Sequence, residues 1–121
     1  MSQHAVIHLE WSSTDLVRSQ AFLAGLFPDW KFEPWSEDYL MFTFPNGEGG
    51  GLQKVERVVA GDSPVVYFEV AEIEPYQEKA VALGGTVSVP KTEIPTMGWF
   101  AHLRDQDDNL FGIFQPLPRE K

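Results

Sequence analysis

Hydrophobic and polar positions alternate with period two through Val6-Ile-His-Leu-Glu-Trp, so that Ile7, Leu9 and Trp11 share one face and Val6, His8 and Glu10 the other. The pattern predicts a strand over 6–11 with one face on a helix and polar groups on the other. A helix is expected over 15–27. Ser12, Ser13 and Thr14 offer capping hydroxyls, Asp15 suits a helix N-terminus, Leu16, Phe22, Leu23, Leu26 and Phe27 recur at mostly helical spacing, and Pro28 ends the run. Three short strands follow. Residues 30–35 form an edge strand because of Pro34, 39–44 precede the hairpin turn Pro45-Asn46-Gly47, and the run Gly47-Glu-Gly-Gly-Gly51 opens into 52–55. Glycine inside a strand marks a bulge or a close approach of something to the backbone, and both fit a strand lining a cavity.

After a polar linker over 56–63 the same order returns. Residues 65–70 alternate, with Val65, Tyr67 and Glu69 opposite Val66, Phe68 and Val70. Ile73, Tyr76, Ala80 and Leu83 then mark a helix that Gly84-Gly85 stops, and strands are expected over 86–89, 99–104 and 110–115. The reading is β-α-β-β-β twice, a single domain over 1–121 built from repeats of about 4–58 and 63–117. Each half is too small to bury much core alone, so the two are expected to pack with a seam between them, where small-molecule sites form.

Composition narrows the chemistry. At 121 residues, 43% hydrophobic and 22% charged, the chain reads as an ordinary globular domain. The net charge is −9 and the nine Lys and Arg are scattered, so no basic patch exists to neutralise phosphates and neither nucleic acid nor an anionic membrane is an expected partner. With no cysteine, thiolate nucleophiles, disulfides and thiolate metal sites are excluded. The first ten residues lack the pattern of a secretory signal and no apolar run is long enough to span a bilayer, so a cytoplasmic protein is expected. The glycine run is no phosphate loop and no serine sits in a nucleophile elbow.

Several motifs together resemble a known family. His8 stands seven residues before Asp15 and Phe22 seven after it, and the second half contains Leu83-Gly-Gly-Thr-Val, Pro90-Lys-Thr-Glu-Ile-Pro95, Gly98-Trp-Phe-Ala and Arg104-Asp105 through Asn109 to Phe111-Gly-Ile. These are similar to the glyoxalase-like subgroup of the vicinal oxygen chelate superfamily, which includes glyoxalase I, extradiol dioxygenases and bleomycin-resistance proteins. The chain departs from the pattern at Leu23, where Tyr is common, at Gln106, where Pro is common, and at Asp108, where Gly is common. The resemblance covers nearly the whole chain. It implies an α+β fold of two βαβββ modules whose curved mixed sheets surround a cleft, and a homodimer.

Metal-dependent members hold a divalent ion with ligands on the first and fourth strands of each module. In this sequence the first-strand positions fall on His8 and Val65, and the fourth-strand positions within 50–53 and near Gly112. A catalytic ion needs about three protein ligands, and at most two of these positions carry a donor. The expectation is therefore a small-molecule-binding protein with no intact family metal site and no cofactor, His8 being the remaining candidate ligand. One alternative is a divalent-metal-dependent lyase, isomerase or dioxygenase using His8 with a nonstandard set drawn from Glu10, Gln53, Glu69 and His102. Another is a dimerising structural module with a filled cleft.

His8, Glu10, Gln53, Tyr67, Trp99 and Phe114 are the candidate ligand-binding residues, for a flat or hydrophobic small organic molecule. His8, Glu10 and Glu69 are the candidates for catalysis, since a carboxylate on an apolar inner face is poised to act as a base. Phe22, Phe27, Phe68 and Phe111 are expected in the core, and Trp35, Tyr39, Met41 and Met97 on the cleft wall. His4 is expected to lie in a frayed terminus.

Overall fold

The computed structural model describes residues 3–118. Eight strands and two helices, with mixed parallel and antiparallel pairing, make an α+β fold in the order β1 (Val6–Ser13), α1 (Leu16–Leu26), β2 (Lys31–Ser36), β3 (Tyr39–Thr43), β4 (Gly49–Lys54), β5 (Val65–Glu69), α2 (Glu74–Ala82), β6 (Thr86–Ile94), β7 (Gly98–Arg104) and β8 (Leu110–Pro116). They fall into two compact units, one over 7–65 and the other over 66–118 joined by 3–6.

In the first unit the strand order is β2-β3-β4-β1, with β1 and β4 parallel and the other pairs antiparallel. Glu10 and Met41 both lie directly opposite Gly51. Leu40, Phe42 and Leu52 project from one face to join Leu23 of α1, with Leu9, Trp11, Leu16, Trp30 and Phe32 around them. By alternation His8, Glu10, Tyr39, Met41, Gly51 and Gln53 share the opposite face.

Two corrections belong to this unit. Gly49, Gly50 and Gly51 do not lead into a strand; they are the first half of β4. Gly50 packs so tightly against the Leu9 carbonyl of the neighbouring strand that no Cβ fits between them. Phe22, expected in the core, is 66% exposed, and Phe27 is also exposed. The buried stripe of α1 runs through Leu16, Ser19, Gln20 and Leu23, and Phe22 lies about 100° around the helix from Leu23. Two polar residues on the inner stripe hid its true direction.

The second unit orders its strands β5-β8-β7-β6, with β5 and β8 parallel and the rest antiparallel. Tyr67 and His102 both lie opposite Gly112. Val70, Ile73, Ala101, Leu103 and Ile113 form the core, with Tyr76, Ala80, Val87, Trp99 and Phe111 packed on it. β6 runs on to Ile94, further than the alternation suggested, because bulges around Val89 absorb Pro90 on a strand at the sheet's margin. His4 is not frayed. Its backbone N–H donates to the Glu69 carbonyl at 2.6 Å, the Glu69 N–H donates to the Ala5 carbonyl at 3.0 Å, and its Nε2 lies 2.7 Å from the Tyr76 hydroxyl.

Candidate functional site

On the polar face of the first unit, β1 presents His8 and Glu10 two residues apart and β3 presents Tyr39. The Tyr39 ring crosses Gly51 so closely that a Cβ at that position would overlap it. Only glycine leaves the tyrosine this path. Its hydroxyl ends 2.8 Å from His8 Nε2, with the two rings nearly parallel, and it also bonds to Glu10.

The proton positions follow from the donors available. Burial lowers His8 below its ordinary 6.5, so the imidazole is neutral at pH 7. Burial, then the charge of Glu10 and the hydrogen bond to it, raise Tyr39 well above its ordinary 10.0, so the phenol keeps its proton. A phenol has one proton to give. Tyr39 gives it to the Glu10 carboxylate and accepts from the His8 Nε2–H, which assigns the lone pair of the imidazole to Nδ1. The result is a hydrogen-bonded His8–Tyr39–Glu10 chain.

The second unit contains a matching device with the partners exchanged. Tyr67, on the first strand of its module, lies across Gly112, where a Cβ would overlap its ring, and its hydroxyl meets His102 Nε2 on the third strand at 2.7 Å. Phe100 completes the group, its ring centroid 5.2 Å from His102 and 6.5 Å from Tyr67. In the first unit histidine comes from the first strand and tyrosine from the third; in the second unit the reverse holds.

The candidate residues are thus placed as follows. His8 and Glu10 converge through Tyr39, which sequence reasoning had put only on a wall. Gln53 shares their face, but its Nε2 donates to the carbonyls of Asp38 and Lys54 at 3.3 and 3.2 Å. Tyr67 pairs with His102, whose orientation the alternation left open. Glu69 and Phe114 are opposite each other on β5 and β8, on the Tyr67 side. Trp99 lies away from them, packed on the core side with Lys91 Nζ 4.9 Å above its ring. Trp35 and Met97 are largely exposed.

The residues were also weighed against a divalent ion. On the fourth strands Gly51 and Gly112 are roofed by tyrosine rings, and Val65 has no donor atom. Among the described residues no group of three or more His, Asp or Glu side chains is arranged to hold an ion. The donor set does not fit the metal that the resemblance implies.

The chain shares its fold with solved structures of glyoxalase-type proteins. A member of the glyoxalase/bleomycin resistance protein/dioxygenase superfamily from Vibrio splendidus superposes with a TM-score of 0.62 at 18% identity, covering 89% of this chain and 96% of that one. The Mn(II)-bound glyoxalase of Novosphingobium aromaticivorans superposes with a TM-score of 0.67 at 12% identity, covering 99% of this chain and 42% of that one. In sequence, the chain is 29% identical over 84 residues to the CFP32 proteins of Mycobacterium bovis and Mycobacterium tuberculosis, provisionally named glyoxylases. The match spans 69% of this chain and about a third of those relatives, 32%. No family model matches the chain.

Proposed function

We propose that this protein is a cytoplasmic small-molecule-binding protein of the glyoxalase/bleomycin-resistance type that works without the superfamily's metal centre. The observation that carries this reading is the pair of tyrosine rings lying over Gly51 and Gly112 on the fourth strand of each module, which leaves no room for a ligating side chain at either glycine. The polar groups that remain are the His8–Tyr39–Glu10 chain and the Tyr67–His102 pair, each set among aromatic or sulfur-containing side chains. Such surfaces bind planar organic molecules by burying the ring and meeting one or two heteroatoms with hydrogen bonds. His8 and Glu10 are the polar groups such a ligand would meet in this reading. Two copies form the working assembly in this reading, supported by the apolar side chains Val17, Phe22 and Leu26 that α1 leaves on the surface.

The test is to follow the imidazole signals of His8 and His102 by NMR while adding phenol, catechol or indole, and separately Mn²⁺. Saturable movement of the His8 signals with an aromatic probe, and no stoichiometric paramagnetic broadening with Mn²⁺, is the expected result. Stoichiometric broadening of His8, or no response to any of the three aromatics, would sink the proposal.

A further inference from the structure

Strand β5 sets one carboxylate on an aromatic face. Alternation puts Glu69 on the side of Tyr67, and the ladders set Phe114 of β8 directly opposite Glu69 and Phe100 of β7 directly opposite Phe114. Ring contacts fix which side this is. Tyr67 and Phe100 meet edge to face at 6.5 Å and both pack against His102, while Val70, Leu103 and Ile113 form the core on the other side. Glu69, Phe100 and Phe114 are each half-buried, so solutes can reach them.

Glu69 is held only through its backbone, whose carbonyl accepts from the His4 N–H and whose N–H donates to the Ala5 carbonyl. Among the described residues no side chain hydrogen-bonds or ion-pairs with its carboxylate. The cations of this unit stand elsewhere. Lys91 Nζ is 2.9 Å from Glu74 and lies over Trp99 on the core side, and Lys79 belongs to α2, which packs on that side through Tyr76 and Ala80. Arg104 shares the Tyr67 face, but four residues of β7 set it about 13 Å along the strand from Phe100. Its Nε lies 3.7 Å from the Asp108 carboxylate and its Nη1 donates to the Asp108 carbonyl at 3.0 Å.

Ring faces carry a negative potential that attracts a cation within about 6 Å of the centroid, and a carboxylate beside them adds charge of the same sign. A metal ion needs several oxygen or nitrogen donors, and this face offers it one carboxylate. An alkylammonium group needs no such set, because its carbon-bound hydrogens carry the charge onto the rings. The net charge of −9 draws cations toward the protein as a whole.

We infer that this face of the second unit binds a small organic ammonium compound, its head against Glu69 and over the rings of Phe100 and Phe114. The inference rests on the reading of that face as a ligand surface and adds the charge of the ligand.

Choline is the probe, titrated into the whole chain while NMR signals of the Phe100 and Phe114 rings and the His102 imidazole are followed. The control is its carbon isostere, in which a tert-butyl group replaces the trimethylammonium. Saturable shifts at Phe100 and Phe114 are expected with choline, and the isostere should bind at least ~10-fold more weakly. Glu69→Gln keeps the size of the side chain and the backbone bonds, so the fold should hold while choline weakens by roughly 10-fold and the isostere does not change. No saturable shift with choline, equal affinity for the two probes, or unchanged choline affinity in Glu69→Gln would overturn the inference. Movement of His102 by phenol or indole beside silence toward choline would overturn it and leave the proposed function standing, whereas silence toward every probe would overturn both.

Discussion

Two glycines hold the most specific information in the chain, because each is the floor under a tyrosine. Gly51→Ala would drive Tyr39 away from His8 and Glu10. We expect a loss of about 1–3 kcal/mol in urea denaturation, the range for overpacking, together with a downfield-shifted His8 environment by NMR. Tyr39→Phe keeps the ring but leaves His8 and Glu10 without their shared partner, which should cost about 1–3 kcal/mol. The imidazole also sets a pH dependence. Its folded value lies below the unfolded 6.5, so in the window beneath 6.5 the unfolded chain binds the extra proton. Stability should be level above that window, fall as the pH drops through it, and level off below the folded value. His8→Gln should flatten this segment of the curve. At this scale the sequence was partly legible. Period-two alternation put His8 with Glu10 and Tyr67 with Glu69 correctly, because strand geometry decides both. It could not pair His8 with Tyr39, 31 residues away, nor choose a side for His102, since Phe100 and Trp99 are equally aromatic.

Elements were mostly legible in kind and order, and less so at their ends. α1 starts where its own sequence says: Asp15 caps it by accepting from the Arg18 N–H at 3.1 Å. Asp15→Ala should therefore cost about 1 kcal/mol. α2 has Glu74 and Pro75 in its first turn but no side-chain cap of its own, and its start is held from another element. The Ile73 N–H donates to Gln115 Oε1 of β8 at 2.9 Å. Gln115→Ala should cost about 0.5–2 kcal/mol and speed amide exchange in the first turn of α2, which hydrogen-exchange NMR would read. The same dependence on distant partners explains the glycine strand. Nothing local marks Gly49–Gly51 as β structure, and the strand exists because flanking backbones approach more closely than a side chain would permit.

For the whole molecule, the order β-α-β-β-β occurs twice along the chain, and it was readable because both halves repeat the same succession of periods. The two halves nevertheless diverged in chemistry: the register aligns Glu10 with Tyr67 and Met41 with His102 across the paired glycines. A protein holding a structural or catalytic ion gains stability from it by mass action. Here Mn²⁺, Ni²⁺ and Zn²⁺ at ten times the protein concentration should leave the melting temperature unchanged within error, as differential scanning fluorimetry would show.

The tyrosine roofs also constrain how this chain can change. Glutamate placed at position 51 collides with the ring above it, and removing the ring alone takes from His8 and Glu10 the hydroxyl they share, so each substitution harms by itself. Made together, Gly51→Glu and Tyr39→Ala should be tolerated better than their separate losses predict, with a favourable coupling of about 0.5–3 kcal/mol in a double-mutant cycle. Any path to a side chain at position 51 therefore passes through a less stable intermediate genotype, and the same barrier stands at Gly112 beneath Tyr67.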